Sequence, residues 1–72
     1  MRAEIKLGKY RHYKGKEYQV LGVARHSETG EDMVVYKKLY DDYSLFVRPF
    51  VIFTEEVEIN GKKVPRFEYV GE

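Results

Sequence analysis

Two side-chain pairs in this 72-residue chain carry the groups best suited to move a proton or hold an anion near neutral pH, Arg11-His12 and Arg25-His26. Imidazole titrates closest to neutrality of all side chains, and guanidinium is a permanent cation with a planar fork of donors. Acid–base catalysis at either pair needs a carboxylate or a nucleophile beside the ring. Ser27, Glu28 and Thr29 directly follow His26, but successive residues on a strand point to opposite faces, so that order alone makes no triad. Two histidines and scattered acids have no metal-ligand spacing, and Asp41-Asp42 has the composition of a turn. Glu56 and Glu58 share an outward face of the kind that water covers. Gly15 and Gly30 each punctuate a hairpin rather than a phosphate-cradling loop. The expectation is therefore no catalytic residue, no metal site and no cofactor, with a histidine-dependent enzyme as the second alternative.

Basic residues interleaved with aromatic ones make a stronger candidate surface. Lys9, Tyr10, Arg11, His12, Tyr13, Lys14 and Lys16 form one stretch, and Arg25, Phe46 and Arg48 can join it across a sheet. Such mixtures bind single-stranded nucleic acid, with cations on phosphates and rings under bases, and rings also cage cationic side chains. Two facts weigh against nucleic acid. The net charge is only +1, and seven Tyr and four Phe in so short a chain, without Trp, must mostly fill the core. Charge is unevenly spread: residues 1–16 hold six basic side chains and one acid, residues 17–72 seven basic and eleven acidic. A basic end can approach an anionic partner, or it can simply blunt an open strand edge.

The elements that must position these groups are short strands. Gly8 closes an N-terminal extension over residues 1–7, expected as a helical turn or a frayed end, and residues 8–72 form a single small domain. Lys9 to Tyr13 alternates as a first strand, with a tight turn at Lys14-Gly15-Lys16. Glu17 to Ser27 is a longer β-rich run, bent by a bulge at Gly22. Glu28-Thr29-Gly30-Glu31 is a hairpin loop, followed by the β-branched and aromatic run Met33 to Tyr40. After the turn Asp41 to Ser44, Leu45 to Arg48 is a fourth strand that Pro49 stops. Phe50 to Phe53 suits a single 3₁₀ turn plugging the core. Glu55 to Ile59 alternates, with Val57 and Ile59 inward, and Asn60-Gly61 is the strongest two-residue hairpin signal. Lys62 to Val64 returns, and Pro65 to Val70 is an edge strand or tail that packs Phe67 and Tyr69. No 3.6-residue period persists anywhere. The expected fold is all-β, a small SH3-like, partly open barrel of about five strands with a short 3₁₀ turn near residues 50–53.

The chain has no cysteine, which excludes a disulfide scaffold, a thiolate metal site and a cysteine nucleophile, and fits a reducing compartment. No apolar stretch approaches the roughly 20 residues that span a bilayer, and the first residues lack the apolar run of a signal peptide. A cytoplasmic protein without membrane contact is expected.

Gly8-Lys9-Tyr10-Arg11-His12-Tyr13-Lys14-Gly15, Val20-Leu21-Gly22-Val23-Ala24-Arg25-His26-Ser27-Glu28-Thr29, Val47-Arg48-Pro49 and Val64-Pro65-Arg66-Phe67 together resemble the bacterial domain-of-unknown-function 1653 family over about Gly8 to Val70. The resemblance implies a compact intracellular β domain in a bacterium and no assigned activity. It points to Arg11, His12, Tyr13, Arg25, His26, Glu28, Thr29, Arg48 and Pro49 as motif positions. Phe46 stands where the family pattern has Trp, which keeps a large ring and removes an indole N–H. The expected function is a non-catalytic binding module for a protein or peptide partner, acting as a monomer. Its ligand-facing residues are Arg11, His12, Tyr13, Arg25, His26, Glu28, Thr29, Phe46 and Arg48, and single-stranded nucleic acid is the alternative partner.

Overall fold

The computed structural model describes residues 4–72. Seven strands form two antiparallel sheets. The main sheet has the order β4-β3-β2-β1-β7, built from β1 (Gly8–His12), β2 (Glu17–Arg25), β3 (Asp32–Lys38), β4 (Leu45–Pro49) and β7 (Phe67–Gly71). A separate hairpin pairs β5 (Glu56–Ile59) with β6 (Lys62–Pro65). Five strands therefore make the main sheet, as expected, and the other two stand apart as the Asn60-Gly61 hairpin. Both turn residues have positive φ, 52° and 79°, which is the twist-matched geometry that an Asn-Gly pair provides.

The main sheet does not close, yet it curls. β4 and β7 are opposite edges, but Arg48 of β4 lies over the ring of Phe67 of β7, at 5.6 Å. Part of the curl comes from a bulge where the β2–β3 register shifts between Val20 and Gly22. The bulge turns Leu21 out to 47% exposure, so it adds nothing to the core. Gly8 sits at the irregular β1–β7 pairing with φ of 137°, and a Cβ there would meet the Gly71 carbonyl oxygen at 2.7 Å.

Phe50–Phe53 is helical, but the expected 3₁₀ turn is corrected to one of α type. Thr54 N–H donates to the Phe50 carbonyl oxygen (3.0 Å), and the Thr54 hydroxyl donates to the same oxygen (2.8 Å). This double capture closes the wider i→i+4 ring; only the last bond, Glu55 N–H to the Ile52 oxygen, is of the tighter i→i+3 kind. We label the turn α1. It delivers Phe53, 1% exposed, onto the sheet.

The core is Tyr10, Val20, Val34, Tyr36, Phe53 and Phe67, with Ile5, Tyr18, Phe50 and Tyr69 packed on it. Register explains the membership: Tyr10 faces Tyr18 and Tyr69, Val20 faces Tyr36, and His12 faces Phe67, and cross-strand partners share one face. Ile59 departs from the expected inward placement, at 41% exposure, because its hairpin lies outside the main sheet. Of the expected N-terminal extension, residues 1–3 lie outside the described residues. Residues 4–7 take no helix; Tyr10 Oη donates to the Lys6 carbonyl oxygen (2.7 Å), and Lys6 Nζ lies 4.6 Å over Tyr69.

Candidate functional site

The hub of the inner face is Phe67. One face of its ring stacks on Phe53, with centroids 4.0 Å apart and planes 6° from parallel, and the Arg48 guanidinium covers the ring as well. His12, Tyr18 and Tyr36 approach it edge-on at 4.9, 5.5 and 5.6 Å. The alternation of the strands dictates this gathering. Residues two apart on one strand share a face, so a single face collects His12, Tyr18, Tyr36, Phe46 and Arg48 beside the core rings.

Arg48 Nε donates to Tyr36 Oη (3.1 Å). Tyr18 and Tyr40 share a hydroxyl–hydroxyl bond of 2.7 Å. Burial, reinforced by that bond to Tyr40, pushes the Tyr18 hydroxyl up to about 12, so it stays protonated. His12 is pushed below the ordinary imidazole value, first by burial and then by the positive charges of Arg48, Arg66 and Lys14. Its Nδ1 accepts the Lys14 N–H (3.1 Å), which places the ring proton on Nε2. Among the described residues no carboxylate or side-chain hydroxyl hydrogen-bonds His12.

His12 also meets Tyr13, ring to ring at 4.5 Å. These two line a cleft of about 400 Å³ with Arg11, Ile59, Val64, Pro65 and Glu68. The β5–β6 hairpin supplies part of its apolar wall; three Arg66–Glu55 bonds close the base of the hairpin, and one bond from Tyr13 ties that base to the end of β1. Arg66 N–H donates to the Glu55 oxygen, Tyr13 N–H donates to the Arg66 oxygen, and the Arg66 guanidinium grips the Glu55 carboxylate through Nε and Nη2.

The nine expected site residues divide into groups. Arg11, His12 and Tyr13 line the cleft, and Arg48 lies outside it, over Phe67, where its charge acts on His12. Arg11 is on the sheet face opposite Arg48, paired in register with both Glu17 and Glu68, and its Nη2 is 3.1 Å from the Glu17 carboxylate. Phe46 packs against Tyr36 at 5.8 Å and under Lys38 at 5.6 Å. Arg25 is 4.0 Å from Asp32 across the hairpin. His26, Glu28 and Thr29 form the β2–β3 loop, past the opposite end of β2 from His12. There His26 Nδ1 accepts the N–H groups of Glu28 (3.1 Å) and Thr29 (3.3 Å), and Thr29 Oγ1 accepts that of Glu31 (3.2 Å). The second Arg-His pair thus organises a turn. The sequence reading did not single out Tyr18, Tyr36, Tyr40, Ile59, Val64 or Glu68 as site residues. Strand periodicity assigns the tyrosines equally well to the core, and nothing local brings β5–β6 beside β1.

The family described as "Protein of unknown function (DUF1653)" matches residues 8–69, a span that holds every residue lining the cleft. The chain belongs to the DUF1653 family. The crystal structure of a DUF1653 protein from Bordetella bronchiseptica is 43% identical in sequence and superposes with a TM-score of 0.86, covering 93% of this chain and 88% of that one. No curated protein matches the chain. The family therefore accounts for the fold and leaves the use of the cleft to its chemistry. Among the described residues no group of acids and histidines is arranged to hold a metal ion, and no helix is long and apolar enough to cross a membrane.

Proposed function

We propose that this DUF1653 domain is a small, monomeric, non-catalytic binding module that recognises a peptide segment of a protein partner. The reading rests on the cleft between β1, β7 and the β5–β6 hairpin. Its volume of about 400 Å³ lies within the range of ligand sites, and it combines an apolar wall (Tyr13, Ile59, Val64, Pro65) with polar groups of both signs (Arg11, Glu68). β7 borders the cleft and pairs with β1 on one side only, so an extended peptide can add to its free edge while a side chain enters the cleft. A bacterial, cytoplasmic setting belongs to the same reading. Its support is the bacterial source of the similar structure and a cysteine-free chain suited to a reducing compartment.

The test is selection from a displayed random-peptide library on the full chain. Enriched peptides should lose most of their affinity to Ile59→Asp and Val64→Asp, which charge the apolar wall. They should keep it with Val51→Asp, an exposed α1 position outside the cleft. Peptides that bind all three variants alike, or a library that yields none, would defeat the reading.

Single-stranded nucleic acid is the second reading. It is favoured by Lys14 over Tyr13 (5.9 Å) and Lys16 over Tyr40 (4.8 Å). It is weakened because Lys9 and Arg11 are held by Glu17 and Tyr10 is buried, which interrupts the basic stretch. Anisotropy titrations with oligothymidylate should show tight, steeply salt-dependent binding if this reading holds, and none if the peptide reading holds.

A further inference from the structure

Among the described residues Arg48 has no carboxylate paired to it. The other arginines of the described residues are ion-paired, Arg11 with Glu17, Arg25 with Asp32 and Arg66 with Glu55. Arg48 is half-buried instead, with Nε on Tyr36 Oη and its plane over Phe67. The N–H groups of its two terminal nitrogens have no acceptor among the described residues. The groups around it are donors too. Tyr36 Oη accepts from Arg48 and retains its own proton to give. The Tyr18–Tyr40 bond uses one of two hydroxyl protons and leaves the other. His12, with Nδ1 occupied by the Lys14 N–H, presents its proton on Nε2. Arg48 lies close enough to act electrostatically on both His12 and Tyr18, and Lys16 over Tyr40 extends the positive field. A guanidinium whose terminal N–H groups are open beside tyrosine and histidine donors, with no carboxylate paired to it among the described residues, has the composition of an anion site.

We propose that Arg48, with Tyr18, Tyr36, Tyr40 and His12, forms a recess that binds a carboxylate of the recognised peptide, at its C-terminus or on an Asp or Glu side chain. The inference rests on the peptide-binding reading: His12 lines the cleft and packs edge-on against Phe67, the ring that Arg48 covers, so a peptide that leaves the cleft past His12 can bring an acid to the guanidinium. A carboxylate suits the site better than a nucleic-acid backbone. One guanidinium fork with planar geometry matches one carboxylate, whereas a phosphodiester chain calls for a row of free cations, and Lys9, Arg11 and Arg66 already contact carboxylates, Lys9 and Arg11 sharing that of Glu17.

The experiment is heteronuclear NMR on the full chain, following the Arg48 Nε–H and the His12 ring, with sodium acetate and sodium phosphate added separately at fixed ionic strength. Acetate should move both signals saturably. Arg48→Lys keeps the charge and loses the fork, and should weaken acetate roughly tenfold to a hundredfold, the range for a charged hydrogen bond. Tyr36→Phe, which removes one hydroxyl only, should weaken it several-fold, so the proposal stays exposed even if Arg48→Lys fails to fold. No saturable acetate shift, or saturation by phosphate but not acetate, overturns the carboxylate recess. The cleft and the recess fail separately. Library peptides that bind the cleft equally well in wild type and Arg48→Lys leave the peptide reading standing and refute the anchor. Acetate saturating at Arg48 while no peptide binds supports the recess and refutes the peptide. Oligothymidylate shifting Arg48 with peptides silent refutes both.

Discussion

Replacing Phe67 by Leu tests whether the aromatic hub holds the two edges of the curled sheet together. Phe67 is 6% exposed, stacks on Phe53 at 4.0 Å, takes three edge-on ring contacts and carries Arg48 on its surface. A good aromatic pair contributes about 0.5–1.5 kcal/mol beyond its buried area, and a desolvated cation–π contact about as much again. The contacts share one ring and do not add fully, so about 2–3 kcal/mol is expected for Phe67→Leu. Phe67→Ala, at about 3–5 kcal/mol, approaches the whole stability of a domain this size and is less informative. At about 4–8 °C per kcal/mol, the Leu variant should melt about 10–20 °C lower by circular dichroism, with a matching fall in the urea midpoint. Val51→Ala, at a residue 68% exposed, should stay within about 0.5 kcal/mol of wild type. A Phe67→Leu loss below about 0.5 kcal/mol would refute the assignment of Phe67 as the junction of β7, α1 and β4.

Two further outcomes follow from the histidines. The His12 pKa is lowered in the folded state, mainly by burial, so protonation favours the unfolded chain. Its contribution is fully present above the unfolded value, near 6.5, and is lost as pH falls from there through the lower folded value. Urea midpoints should therefore drop on acidification below pH 6.5 more steeply in wild type than in His12→Gln, and parallel curves would contradict the burial of that ring. His26→Ala removes the acceptor of two loop N–H groups in an exposed turn, so it should cost about 1 kcal/mol or less and speed amide exchange at Glu28 and Thr29. Binding of library-selected peptides should be unchanged by His26→Ala, and a large loss would return the second Arg-His pair to the binding surface.

Much of the architecture was legible in the residues because its signals are local. Asn60-Gly61 specifies a tight hairpin through two positive φ angles, Gly22 marks the bulge, and Pro49 ends a strand whatever surrounds it. The two Arg-His pairs, by contrast, are indistinguishable as text. One is split across the sheet, with His12 beside Phe67 and Arg11 facing Glu17 on the reverse. The other sits at a loop, where His26 closes a turn. That difference comes from register and curvature, which no short segment encodes.

From its own sequence this protein was bound to be a small, cysteine-free β domain with an aromatic core and the motifs of its family. Strand alternation, turn chemistry and composition act over a few residues and need no partner to be read. Only the tertiary structure decided that β4 would bend over β7, leaving Arg48 on Phe67, and that the β5–β6 hairpin would wall a cleft beside His12. Both depend on how a bulged, twisted sheet brings opposite edges together, and that is set by the packing of rings far apart in the chain.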